Sequence, residues 1–163
     1  MKSTDSIQEK IFTVEQIVKK VAQLRLLSKK ISFTNGVFDI LHQGHIYSLS
    51  QAAKEADFLI VGLNSDTSVK RLKGETRPIN NQDSRALLLA SLLIVDAVVI
   101  FEEDTPLELI KSIKPEVLVK GGDYTVEQIA GAKEVIANGG RVVINPILEN
   151  FSTTGIIEQL KKA

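Results

Sequence analysis

The chain has 163 residues, 44% of them hydrophobic and 25% charged, the size and balance of one globular domain with a single good core. Twenty Lys and Arg offset twenty Asp and Glu, so no overall field favours nucleic acid or an anionic membrane, and an anionic ligand must be held by local donors. Cysteine is absent, which excludes disulfides, thiolate metal sites and thiol nucleophiles.

Thr13 to Leu27 places Val14, Ile17, Val18, Val21 and Leu24 on one helical face, and Thr13 with Gln16 forms a capping-box signature. The pattern then turns to strand–helix alternation. Ile31–Thr34 is predicted as a strand, Gly44–Ala56 as a helix and Phe58–Leu63 as a buried strand. Asn64–Lys73 is left as a strand-end loop, and Gln82–Leu93 reads as a helix with Asn81 as its cap. Ala97–Phe101 is a third strand, and Thr105-Pro106-Leu107-Glu108 starts a helix. Val117–Lys120 is a fourth strand, and Thr125–Ala137 a helix ended by Gly139-Gly140. Arg141–Asn145 is a fifth strand, and Ser152–Lys162 a last helix.

Apolar, β-branched strands alternating with helices predict an α/β fold, a doubly wound parallel sheet of about five strands with an N-terminal helix. Residues 1–30 are expected as a helical extension and 31–163 as the functional domain. The N-terminus leads into a charged amphipathic stretch, not an apolar leader core, and the longest apolar run, Ala86–Val95, is too short to span a bilayer. A cytoplasmic protein is expected.

In such sheets ligands bind beyond the carboxyl ends of the strands. The segment after the first strand, Thr34-Asn35-Gly36-Val37-Phe38-Asp39-Ile40-Leu41-His42-Gln43-Gly44-His45, holds both histidines of the chain around a glycine at a helix start. Free N–H groups and the helix dipole favour an anion there, and two imidazoles can donate to its oxygens. A pair of structural histidines, or a metal site that lacks a third ligand, would have the same spacing. Lys120-Gly121-Gly122-Asp123-Tyr124 follows the fourth strand, with glycines that permit close backbone approach or simply a turn. Ser152-Thr153-Thr154 offers hydroxyls at the last helix start, for capping, phosphate binding or both.

Thr34–His45 resembles the His-x-Gly-His signature of the cytidylyltransferase-like nucleotidyltransferases. Further stretches are similar to the adenylyltransferase domains of ADP-heptose synthases, which act in lipopolysaccharide inner-core synthesis. They are Gly62-Leu63-Asn64-Ser65-Asp66, Arg71-Leu72-Lys73-Gly74, Arg77-Pro78-Ile79, Lys120–Tyr124 and Ser152-Thr153-Thr154. The resemblance implies a Rossmann-like fold and transfer of AMP from ATP, with Mg2+, to D-glycero-β-D-manno-heptose 1-phosphate.

It also implies roles for particular residues. His42, His45 and Lys73 would stabilise charge at the transferring phosphorus. Thr34, Asn35, Gly36, Phe38, Gly44, Lys120, Gly121, Asp123, Ser152, Thr153 and Thr154 would bind the nucleotide. Asp39, Asn64, Asp66, Arg77 and Arg85 are expected on the substrate side, although Arg85 also reads as a helix-surface cation. No cation precedes Val95-Asp96, which weighs against cytidylyl transfer. Val37 stands where a cysteine is expected, and Asn150-Phe151 where a glycine and a small apolar residue are usual. No kinase domain is present, so the resemblance implies a stand-alone form, a homodimer, served by a separate heptose kinase. The alternatives are a related enzyme with another phosphorylated acceptor or CTP, and a non-catalytic nucleotide-binding regulator. With no basic stripe, nucleic acid is not an expected partner.

Overall fold

The structure, a computed structural model, describes residues 5–122, 124–146, 153 and 155–157. Six parallel strands form one sheet: β1 (Ile11–Phe12), β2 (Ile31–Gly36), β3 (Phe58–Asn64), β4 (Ala97–Phe101), β5 (Val117–Gly121) and β6 (Arg141–Asn145). They lie in the order β1-β4-β3-β2-β5-β6. The five expected strands are all present, and β1 is the addition: its two residues pair with Val98 and Val99 of β4.

Side chains alternate along each strand, and both faces are covered. After the short helix α1 (Asp5–Gln8), Ile17 and Val21 of α2 (Val14–Leu26) pack with Ile31, Phe33, Ile60, Val99 and Leu118 on one side, beside Ile110 and Ile113 of α6 (Leu107–Ile113). Leu59, Val61, Leu63, Val98 and Val119 pack on the other with Leu49 of α3 (Gln43–Ala53) and Leu89 of α5 (Gln82–Ala90). Burial on both faces explains why these strands read as continuous apolar runs. Ile17, Val21 and Leu24 of the apolar stripe of α2 therefore cover the sheet, while Val14 and Val18 stay exposed.

Local signals set several boundaries. Thr13 Oγ1 accepts from Gln16 N at 3.2 Å while Gln16 Oε1 accepts from Thr13 N at 2.8 Å, closing the capping box of α2. Asn81 caps α5 through Ser84 N at 2.9 Å.

Two expectations need correction. The stretch after Asn64, expected as a loop to Lys73, is helix α4 (Asp66–Lys73), capped by Ser65. The helix expected over Thr125–Ala137 is split into a 3-10 turn, Val126–Gln128, and α7, Ala132–Ala137. Gly131 divides them at φ 86°, where a Cβ would sit 2.6 Å from Ile110 Cδ1. Of the expected Ser152–Lys162 helix, residues 153 and 155–157 are helical and the rest lies outside the described residues.

Candidate active site

The sheet order places β2 between β3 and β5. The chain winds outward from β2 to β3 and β4, then crosses back to β5 and β6, so the strand order reverses between β2 and β5. The crevice above that reversal is where ligands enter doubly wound folds. Lys120, near the end of β5, spans it and donates from Nζ to Asn35 Oδ1 of β2 at 3.2 Å. A cavity of about 180 Å³ opens there, lined by Thr34, Asn35, Gly36, Phe38, His45 and Lys120, among others. Ser48 and Gly121 complete its wall, and a Cβ on Gly121 would lie 3.2 Å from Ser48 Oγ. Ser48 carries no sequence signal of its own; it joins the site because α3 presents it one turn beyond Gly44 and His45.

His42 occupies the N-cap of α3 without a side-chain capping bond. Its ring stacks on that of His45 with centroids 3.8 Å apart and an interplanar angle of 24°. Phe38, held at φ 47°, meets His45 edge-on at 5.2 Å. Both histidine Nδ1 atoms are buried and lack a hydrogen-bond partner. Burial, then the neighbouring His42, pushes His45 down to about 4, with the Ile40 carbonyl acting the other way. Burial also lowers His42. At neutral pH the site therefore presents two uncharged imidazoles. An arriving polyanion would favour their protonated forms.

The residues expected on the substrate side are engaged differently. Asp39 is 1% exposed. Its carboxylate accepts from Arg77 Nε at 2.7 Å, Ile79 N at 2.8 Å and Asn80 N at 2.9 Å. Desolvation opposes its ionisation, but the Asn80 and Ile79 amides and Arg77 together hold its pKa below the usual carboxylate value. Arg85 is 0% exposed, so it is neither a surface cation nor a group open to the crevice. It donates to the carbonyls of Asn80, Val37 and Asn64 at 3.0, 2.7 and 2.9 Å, and to Asp66 Oδ1 at 2.7 Å. Asn64 is buried too, donating to Ser68 Oγ at 3.0 Å. These five residues form the bracket that fixes the histidine loop.

Lys73 is the last residue of α4 and is exposed, one position before Gly74 at φ 96°. Thr153 Oγ1 lies 3.5 Å from the Ile40 carbonyl, bringing the last helix against the histidine loop. Asp123, Ser152 and Thr154 lie outside the described residues. Among the described residues no group of three or more His, Asp or Glu side chains could hold a metal ion. Nor is any helix there long and apolar enough to cross a membrane.

The chain is similar to known proteins. The chain is 53% identical over 147 residues to the bifunctional protein HldE of Hyphomonas neptunium, covering 90% of this chain and 30% of that one. HldE of Klebsiella pneumoniae is 52% identical over 152 residues, covering 93% and 32%. The chain thus spans about a third of the length of these curated relatives. Among solved structures, a lipopolysaccharide core biosynthesis protein from Thermoplasma volcanium superposes with a TM-score of 0.59 at 29% identity, covering 76% of this chain and 99% of that one. The pantoate–β-alanine ligase of Francisella tularensis superposes with a TM-score of 0.61 at 20% identity, covering 93% and 76%, a likeness of fold alone. Residues 33–159, from the histidine strand to the last helix, match the cytidylyltransferase-like family, and the chain belongs to that family of nucleotidyltransferases.

Proposed function

We propose that the chain transfers AMP from ATP to D-glycero-β-D-manno-heptose 1-phosphate, giving ADP-heptose and pyrophosphate. The observation that carries the reading is the stacked His42–His45 pair, with both Nδ1 atoms unpartnered, at the start of α3 beside the strand-order reversal. Buried polar atoms without partners are uncommon, and at a helix N-terminus they suit a phosphate ligand. The relationship to HldE proteins and to a lipopolysaccharide core biosynthesis protein supports heptose as the acceptor's sugar.

In the reaction an oxygen of the sugar phosphate forms a bond to the α-phosphorus of ATP. The bond from that phosphorus to the β-phosphate oxygen breaks, and its electron pair leaves with pyrophosphate. A phosphate monoester loses its second proton near pH 6, so the acceptor arrives as an oxyanion and no general base is needed. His42, His45 and the α3 N-terminus stabilise charge that grows in the transition state, the type of contact that contributes most to such transfers. Lys73 and Lys120 neutralise the phosphates, and Thr153 supports the loop through Ile40. Magnesium bound to the nucleotide's phosphates would offset their charge beside Lys120 and the histidines, and among the described residues no protein cluster is required to hold it.

Pyrophosphate release tests this, with magnesium, the heptose 1-phosphate and ATP, CTP, GTP or UTP in turn. Release with ATP alone, dependent on the sugar phosphate, is expected. Preference for CTP would keep the transfer and overturn the adenylyl assignment. No release with any nucleotide would overturn the reaction with this acceptor.

A further inference from the structure

A second cavity, also of about 180 Å³, adjoins the first and shares two residues with it, Asn35 and Lys120. Asp104, Thr105, Tyr124 and Gln128 line it. Asp104 Oδ1 accepts from Arg71 Nε at 2.7 Å and Gln128 Oε1 from Thr125 N at 2.9 Å, which leaves the other carboxylate oxygen and the amide NH2 for a ligand. Its floor is apolar, formed by Pro106 and Ile129, both buried. Lys120 Nζ lies 5.9 Å from the centre of the Tyr124 ring, so the ammonium bridges the two compartments.

We propose that this second cavity receives the acceptor's sugar, with the Tyr124 ring as the platform for it and Lys120 meeting its phosphate at the junction. The proposal rests on the nucleotidyl-transfer reading and adds where the acceptor sits.

The two cavities meet at Asn35 and Lys120, an arrangement that suits two substrates reacting across a shared wall. His45, stacked on His42, lines only the first, which assigns the triphosphate to that side. The reacting phosphorus then lies near the shared wall, and the acceptor approaches from the other side. The chemistry of the second cavity matches a polyol: one carboxylate oxygen of Asp104, the Thr105 hydroxyl and the Gln128 NH2 to meet sugar hydroxyls, an aromatic face for the C–H side of the ring, and an apolar floor. Asp39 and Arg85 are not the acceptor's main contacts, because both are buried and their charged groups are bound within the protein. Tyr124 is 46% exposed, a large ring left open at the mouth of a cavity.

The test is steady-state kinetics of Tyr124→Ala and Tyr124→Phe with both substrates varied, alongside saturation-transfer NMR of the sugar protons of heptose 1-phosphate. Tyr124→Ala is expected to raise the KM for the sugar phosphate about tenfold and leave the KM for ATP within about twofold. Tyr124→Phe is expected to restore it, since the ring face is kept. An equal or larger rise in the KM for ATP would place Tyr124 against the adenine and overturn the proposal. So would an unchanged sugar KM in a wild-type enzyme that turns over. If the wild type releases no pyrophosphate, a sugar signal lost in Tyr124→Ala would uphold the acceptor site while the proposed reaction fails. A sugar signal that is absent or independent of Tyr124 would overturn the site as well.

Discussion

Two regions flank the loop from Val37 to His45 and treat their polar groups in opposite ways. On the α5 side, Asp39, Arg77, Arg85 and Asp66 are joined by ion pairs of 2.7 Å and by bonds to five backbone carbonyls or amides, of Val37, Asn64, Ile79 and Asn80. On the α3 side, His42 and His45 stack face to face with each Nδ1 buried and unpartnered. Charge that is fully bonded inside the protein is scaffold, whereas polar atoms left unbonded beside a cavity are available to a ligand. Asp39 belongs to the same run of motif residues as His42 and His45, so residue type alone does not separate the two roles.

Breaking the saturated side should cost stability first. Arg85→Met leaves three carbonyls and the Asp66 carboxylate without their donor, and urea unfolding should show a loss of about 3–5 kcal/mol. A variant as stable as the parent would mean the bracket contributes nothing. On the open side the effect should appear in rate. His45→Ala should cost about 3 kcal/mol of barrier, roughly a hundredfold or more in kcat, while changing folding stability by under about 1 kcal/mol. Full activity in a folded variant would remove His45 from the site.

Acid pH sharpens the same contrast, because the two regions lose stability in different windows. The folded pKa of His45, about 4, lies below its ordinary 6.5, so the unfolded chain binds more protons between those values. Its contribution is fully present above about pH 6.5 and is lost as pH falls toward about 4. Asp39 also has a lowered pKa, so its contribution is present above the unfolded carboxylate value of about 3.9 and is lost only at lower pH. Unfolding free energies from pH 7 to 3 should show that His45→Gln flattens the upper window and leaves the lower one. A slope unchanged between pH 6.5 and 4 would contradict the buried, neutral state of His45. The smallest effect is expected at Lys73. Lys73→Ala should lower kcat/KM roughly tenfold, about 1.4 kcal/mol, with folding unchanged within about 0.5 kcal/mol.

Much of the frame was legible in the sequence because its signals are local. The capping pairs Thr13–Gln16 and Asn81–Ser84 act over three residues, and the apolar runs of β2 to β5 follow from burial on both sheet faces. The helix Asp66–Lys73 was not legible, since it is polar along most of its length and buries only Ser68 and Val69. Strand β1 was hidden for another reason: two residues carry no period, and their pairing is with β4, far along the chain. The break at Gly131 depends on Ile110 lying against it. Of the candidate site, the histidines and the Lys120 loop were visible as a motif beyond strand ends. The burial of Arg85 was not, because its partners come from Val37, Asn64, Asp66 and Asn80, which only the fold brings together.

The most direct test of the central claim follows the phosphorus itself, with ATP labelled at the α- or the γ-phosphate and the sugar 1-phosphate as acceptor. The account predicts that α-label appears in the nucleotide–sugar product and γ-label in pyrophosphate. Transfer of γ-label to the sugar, or α-label retained in free ADP, would contradict nucleotidyl transfer.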